Sequence, residues 1–176
     1  MRKFFRQFLP QHESIRNHRL FKPFSGWLHH PNLWHLHRRS VAGGVAVGLF
    51  CGLIPGPFQM ISALLLAVWL RVNLPLAIVV TTYTNPFTIV PLYFLAYELG
   101  LRVLGASNGM LTEPPPFPAM HWDNWAHALW DWIEALGAPL MFGLPLLALG
   151  LAVAGYVLVR VIWRAAVIWR WRRRQR

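Results

Sequence analysis

Charge, acidic side chains and cysteine are all scarce in this sequence. Only 13% of its 176 residues are charged, whereas about 25% is usual for a soluble domain. Six residues are acidic against 17 lysines and arginines, which leaves a formal net charge of +11. So few charges argue against a soluble enzyme with a large water-facing surface. The single cysteine, Cys51, excludes an internal disulfide framework and a metal site built from several cysteines.

Hydrophobic residues, by contrast, make up 56% of the chain, and the charges divide it into blocks. Eight of the 17 cations lie in residues 1–40 and seven in the tail 160–176, while 113–136 holds four acids and no cation. Because cytoplasmic flanks of membrane proteins are rich in Lys and Arg, we expect both termini in the cytoplasm and the acidic loop outside. Membrane topology already accounts for the basic ends, so no nucleic-acid partner is expected.

The clearest membrane span is the uncharged stretch 137–159. Its 23 residues extend about 34 Å as a helix, enough to cross a hydrocarbon core of about 30 Å. Pro145 is expected to kink this helix. The Trp-rich sequence that precedes it, within 105–136, predicts an amphipathic helix at the membrane surface.

Prolines interrupt the apolar block 41–104 in a way that does not suit ordinary spans. Breaks at Pro55–Pro57 and Asn85–Pro86, with a polar turn between them, leave apolar segments of 14, 13, 11 and 18 residues. Most of these are too short to cross a bilayer upright. A shift of 29 residues aligns Pro57 with Pro86 and gives a weak internal repeat. The prediction is an all-α integral membrane protein with broken or re-entrant helices in 41–104. Its five segments are 1–40, 41–104, 105–136, 137–159 and 160–176.

The number of crossings follows from the orientation of the two termini. With both ends inside it must be even, and 137–159 supplies one crossing. We expect 41–70 to dip into the membrane and return, which leaves Arg71 near the cytoplasm. Residues 74–104 would then cross once, broken at the second proline. Three short tilted crossings of the block are the alternative.

Small residues recur every four positions along the first broken helix. Gly44, Gly48 and Gly52 share one helical face, and small residues at this spacing let a second helix approach closely in lipid. Ala63 and Ala67 repeat the interval on the next helix, so we expect these two small faces to pack together. The prolines at the breaks, namely Pro55, Pro57 and Pro86, are also assigned to structure.

Polar groups at membrane depth are the candidate ligand contacts. Thr84, Asn85 and Thr88 lie at the second break, where such groups either cap half-helix ends or contact a ligand. Arg71, beside Asn73 and another helix break, is suited to bind a phosphate or carboxylate bidentately. The alternative is a cytoplasmic Arg71 that reaches the lipid headgroups. Arg71 and the polar groups of the second break would be separated by about 16 Å of helix. Either a phospholipid or a polyprenyl phosphate bridges them, or Arg71 acts only where the ligand enters.

Two further side-chain patterns lead away from catalysis. Glu98 and Arg102 are four residues apart on one predicted helix, so we expect a local ion pair. Four histidines lie within 29–37, but their spacings of one, five and two residues do not suit a zinc site. No nucleophile elbow and no phosphate-binding Gly-Lys loop is present. The sequence therefore predicts no metal, no cofactor and no enzymatic activity.

Several motifs within 41–104 together carry a family resemblance. They are Gly44-x-x-x-Gly48, the Pro55–Pro57 break, Arg71-x-Asn73-x-Pro75, Asn85-Pro86-x-Thr88 and Pro91-x-Tyr93-x-x-x-Tyr97-x-Leu99-Gly100. With them, roughly residues 30–160 resemble the bacterial domain of unknown function 2062 family. The resemblance implies a small inner-membrane protein with no established activity. Some relatives are joined to glycosyltransferase-like domains, which implies lipid-linked sugar or envelope chemistry.

Two functions follow from these expectations for a multi-pass protein of the inner membrane. A carrier or flippase for an anionic lipid or lipid-linked group predicts an aqueous or lipid-lined cavity between the two breaks. A non-transporting assembly or scaffold protein of the cell envelope predicts a filled interior and exposed grooves for a partner. Membrane lipids are the expected partners in both cases. A second copy of the chain and an envelope-biogenesis protein both stay open as protein partners.

Overall fold

The computed structural model describes residues 33–34, 36–56, 58–85, 87–105 and 125–174. Across these residues it contains five long helices and no strand, which confirms the predicted all-helical class. The helices are α1 (Arg38–Cys51), α2 (Phe58–Leu70), α3 (Leu74–Thr81), α4 (Ile89–Val103) and α5 (Trp125–Arg174). Two compact units are present, one formed by Met1–Thr84 with Gly150–Arg176 and the other by Asn85–Leu149.

In the first unit, α1 and α2 form a hairpin around the predicted first break. The helix ends at Cys51, and the chain turns through Pro55 and Gly56, where a φ of +73° favours a residue without a side chain. Pro57 lies outside the described residues. Beyond the hairpin, the Asn73 amide donates to the Ser40 carbonyl oxygen at 3.2 Å. The chain has thus returned to the start of α1.

The glycine face of α1 packs against α3. A Cβ on Gly44 would lie 2.6 Å from the Asn73 carbonyl oxygen, and one on Gly48 would lie 2.6 Å from that of Ala77. One on Gly52 would meet the ring of Tyr83. Close packing of the three glycines is therefore confirmed, but the expected partner helix was wrong, because α3 rather than α2 covers this face.

The two alanines of α2 lie in the hydrophobic core instead. Both are fully buried, in a cluster that also contains Val47 and Cys51 of α1. The sequence spacing identified both small faces but did not determine their rotation about the helix axes. The core cluster consists of Leu33, Val47, Cys51, Ala63, Leu64, Ala67, Val68, Leu74 and Ala77.

In the second unit, α4 and the first part of α5 approach each other through small residues. A Cβ on Gly100 would meet the carbonyl of Pro139, and one on Gly143 would meet the carbonyl of Ala96. Gly100 of α4 thus lies against the backbone of Pro139, and Gly143 of α5 lies against the backbone of Ala96. On each helix the glycine and the contacted residue are four positions apart. This is the close small-residue packing that lipid-embedded helices use. The spacing of small residues in the sequence did not predict this pair.

The long helix α5 contains a break at Gly137. There the backbone adopts φ +55° and ψ −143°, which separates two helical stretches. This is the predicted boundary between the Trp-rich helix and the membrane span. Pro145 lies inside the helix, so the departure from helical dihedral angles occurs at the glycine rather than at this proline. On the Trp-rich side Trp132 is buried while Asp131 is exposed, in keeping with an amphipathic helix.

Among the described residues, one helix is long and apolar enough to cross a membrane. It covers His127–Trp169, with a mean hydropathy of 2.2 in its most apolar window, of which 22% is buried. Several of its large apolar side chains, such as Met141 and Val153, are exposed rather than buried against other helices. The shorter α2 is also apolar, and its Phe58 and Trp69 are exposed.

Candidate ligand site

Arg71 follows the last residue of α2 and closes that helix in a left-handed turn. Its φ is +54°, and no other non-glycine residue among those described has a positive φ. The Arg71 amide donates to the Val68 carbonyl at 3.2 Å, and the Val72 amide donates to that of Ala67 at 3.0 Å. These two bonds form a Schellman cap, in which glycine is the usual residue at the left-handed position. The side chain of Arg71 is exposed.

Asn73 caps the N-terminus of α3 and is completely buried. Its Oδ1 accepts the Leu76 amide at 3.0 Å, as expected of an Asn before a helix. Its backbone is bound to Ser40 and its carbonyl lies against Gly44. The Nδ2 donor has no acceptor among the described residues. Asn73 therefore joins α3 to α1, and any contact with a ligand stays a prediction.

The Thr84 side chain contacts residues on both sides of the first proline break. Its Oγ1 lies 2.6 Å from the Gly52 carbonyl oxygen and 2.8 Å from Gln59 Oε1. Beside it, the Tyr83 hydroxyl donates to the Leu49 carbonyl at 2.9 Å. Both carbonyls belong to the end of α1, where intrahelical donors run out. The hydroxyls of Tyr83 and Thr84 thus satisfy backbone that a proline break has freed.

Asn85 and Thr88 bind each other at the start of α4. The Asn85 side-chain oxygen accepts the amides of Phe87 at 2.9 Å and of Thr88 at 3.0 Å. In return, Thr88 Oγ1 accepts the Asn85 amide at 2.9 Å. This is a reciprocal cap of the kind found at helix starts. The Phe87 and Thr88 amides at this half-helix end therefore already have an acceptor. Pro86 lies outside the described residues.

The five candidate residues fall into three groups. Arg71 and Asn73 lie at the start of α3, and Thr84 lies beyond its other end, about 12 Å of helix away. Asn85 and Thr88 form their own pair in the second unit. The hydroxyls of Thr84 and Thr88 and the side-chain oxygen of Asn85 all have protein partners, so these three atoms do not require a ligand. Ligand binding by any of the five stays a prediction.

The remaining expectations concern charged residues and metals. Glu98 and Arg102 both lie on α4, one turn apart, as the predicted ion pair requires, and that pair stays a prediction. Within the described ranges, no group of three His, Cys, Asp or Glu side chains is placed to hold a metal ion. Of the histidine cluster in 29–37, only His37 is described, and it precedes α1 with its side chain exposed.

Tyr83 was not among the predicted site residues, although its hydroxyl binds the end of α1. It stands in the polar run at the second break, yet its role depends on Gly52 lying against its ring. A tyrosine at the end of a short apolar helix was the only available signal. That signal indicates a buried hydroxyl in need of an acceptor but not which carbonyl supplies it.

Comparison with known proteins gives the family and little more. No curated protein matches this chain, and no solved structure does so either. A family described as "Uncharacterized protein conserved in bacteria" matches residues 21–172, which is most of the chain and includes all five candidate residues. The chain therefore belongs to this bacterial family, domain of unknown function 2062.

Proposed function

We propose that the chain is a multi-pass protein of the bacterial inner membrane with both termini in the cytoplasm. The basic stretches at the two ends support this orientation, and α5 is long enough to cross. The α1–α2 hairpin supports a re-entrant segment, because the contact between Asn73 and Ser40 brings the chain back to the start of the hairpin. Each hairpin helix is about 20 Å long, less than the roughly 30 Å hydrocarbon core.

Within the membrane we infer a non-transporting role, as an assembly or scaffold protein of the cell envelope. The observation that supports it is the contact of Thr84 with Gly52 and Gln59. A carrier with its path between the two breaks needs room there for a headgroup. In this protein the polar groups of that junction bind one another. A junction closed by its own hydrogen bonds suits a protein that acts through its surface.

A carrier for an anionic lipid or lipid-linked group is the second candidate, and Arg71 is the observation in its favour. The side chain is an exposed cation beside a helix break. A carrier would have to open the Thr84 junction during each cycle, at the cost of leaving helix-end carbonyls without donors in lipid. A scaffold never needs to do so.

A lipid-translocation assay distinguishes the two candidates. The full chain is reconstituted into vesicles of phosphatidylglycerol that contain a little fluorescent phosphatidylglycerol, and a membrane-impermeant quencher then reports how fast label moves between leaflets. If the chain is a scaffold, we expect labelled lipid to move between leaflets no faster than in protein-free vesicles. A protein-dependent rate that falls in both Arg71→Ala and Asn85→Ala would contradict the scaffold and support the carrier. Matched Arg102→Ala controls for removal of a cation elsewhere.

The orientation has its own test. Two variants are made in a Cys51→Ala background, one with a single cysteine at Thr112 and one with a single cysteine at Arg174. Spheroplasts with an intact inner membrane are then treated with an impermeant maleimide. We expect label at position 112 and none at 174 until the membrane is permeabilised. Labelling of position 174 from outside would overturn the proposed topology without bearing on transport.

A further inference from the structure

Three arginines meet at one end of the first unit. Arg38 and Arg39 begin α1, and Arg71 follows α2. The bond from the Asn73 amide to the Ser40 carbonyl holds these two points of the chain together at 3.2 Å. A second contact supports this, because a Cβ on Gly43 would meet the Val72 side chain. Hence the two arginines of α1 and the one after α2 emerge from neighbouring backbone, and all three side chains are exposed.

The described part of this unit offers no carboxylate that would neutralise these cations. The described residues of this unit, 33–34, 36–56, 58–84 and 150–174, contain no Asp or Glu. Three guanidinium groups at one end of these described ranges, which hold no acidic side chain, create a positive potential that attracts an anion. Guanidinium groups suit phosphate in particular, because they donate two parallel hydrogen bonds to it.

The backbone at Arg71 gives no reason for a long cationic side chain. With φ at +54°, this position favours glycine, and any other residue there costs roughly 1 kcal/mol. Cap formation alone would thus be better served by glycine. What the arginine adds is its charge, placed at the same end as Arg38 and Arg39.

The residues just before Arg71 indicate the source of the anion. Trp69 and Leu70 end α2 with exposed fractions of 73% and 48%. Exposed tryptophan beside arginine is typical of the membrane interface, where the ring lies at headgroup level and the cation meets lipid phosphate. A free phosphate or a nucleic acid would make no use of this apolar surface.

We propose that Arg38, Arg39 and Arg71 form a binding site for the phosphate of an anionic phospholipid, whose acyl chains lie along Trp69 and Leu70. The proposal rests on the membrane placement proposed above, and it applies to a scaffold and a carrier alike. Arg71 acts here with the two arginines of α1 and not with the Asn85 break. The bound lipid fixes the re-entrant hairpin at the cytoplasmic headgroups.

Lipid binding to the full-length protein tests this site. Protein purified in a neutral detergent is titrated with short-chain phosphatidylglycerol, and native mass spectrometry counts the bound lipids. Phosphatidylcholine and inorganic phosphate serve as the neutral-headgroup and lipid-free probes. Arg71→Gly is the main variant, since glycine suits the left-handed turn and should leave the fold intact. Arg71→Lys retains the charge, and Arg102→Gln removes one cation outside the site.

For the tightest phosphatidylglycerol site we expect Arg71→Gly to lower the affinity about fivefold and Arg38→Gln/Arg39→Gln/Arg71→Gly roughly a hundredfold. Arg102→Gln should stay within about twofold of the original protein, and Arg71→Lys, which keeps the charge but loses the bidentate fork, should bind with an affinity between those of the original and Arg71→Gly. Wild-type affinity in the triple variant would overturn the site. So would equal binding of phosphatidylcholine, or displacement of the lipid by inorganic phosphate at the same concentration. A melting temperature of Arg71→Gly at or above the original shows that lost binding is not lost folding.

Discussion

Replacing Gly48 by alanine tests the contact on which the first unit depends. The new methyl group would lie 2.6 Å from the Ala77 carbonyl oxygen and 2.6 Å from the Val80 Cβ, whereas ordinary van der Waals contact begins near 3.4 Å. The difference, 3.4 minus 2.6, means that α1 and α3 must separate by about 0.8 Å. Neither obstacle is the end of a flexible side chain, so separation of the helices is the only relief.

The expected loss of stability follows from two opposing effects. Overpacking of this kind costs about 1–3 kcal/mol, and alanine recovers up to about 1 kcal/mol of helix propensity. The net loss is therefore about 0–3 kcal/mol against the original protein, or up to roughly 12 °C in melting temperature for a chain of this length, and about 1–3 kcal/mol against a glycine-to-alanine change without overpacking. The measurement heats the detergent-solubilised full chain and follows the monodisperse fraction by size-exclusion chromatography.

Gly150→Ala is the matched control. It makes the same substitution in a helix, and no atom lies within 4 Å of the added Cβ. We expect its melting temperature to equal or slightly exceed that of the original protein. If Gly48→Ala were as stable as Gly150→Ala, the close packing of α1 on α3 would be refuted.

Two further substitutions test the polar contacts of the same unit. Tyr83→Phe removes the donor to the Leu49 carbonyl and should cost about 0.5–1.5 kcal/mol in the same heating assay, since a part-buried hydrogen bond is lost; an unchanged melting temperature would show that the bond contributes nothing. Asn73→Ala removes the cap of α3 and should cost about 1 kcal/mol, whereas Asn73→Ser, which keeps a capping oxygen, should cost less. Equal loss in the two Asn73 variants would assign the effect to packing rather than to the cap.

The candidate residues illustrate how a broken helix uses its polar side chains. In the membrane placement proposed above, these breaks lie away from water, so each backbone group that a proline frees must find a protein partner. Thr84 and Tyr83 supply donors to the end of α1, and Asn85 supplies an acceptor to the start of α4. Arg71 differs from these because its charge is exposed and its backbone gains nothing from an arginine. It is therefore the residue on which a ligand hypothesis can best rest.

Much of the architecture was determined by local sequence. Apolar runs ended by proline predict short helices and their breaks, and the structure has α1 and α2 on either side of the first one. The change from a Trp-rich amphipathic stretch to an uncharged one predicted a boundary, and the helix breaks at Gly137. These features depend on residues close in sequence, through dihedral preferences and side-chain periodicity, and for that reason the chain alone reveals them.

Tertiary structure decided which surfaces meet. The spacing of Gly44, Gly48 and Gly52 predicts that another helix packs closely on α1. It does not predict which helix, because α2 and α3 both follow closely in sequence and both have apolar faces. Likewise a polar residue at a break reads equally as a ligand contact and as a cap. Only the packing of α3 on α1 brings Thr84 to Gly52 and makes it a cap. The same packing places Arg71 beside the start of α1, because the rotation of each helix is set by contacts between residues more than thirty positions apart.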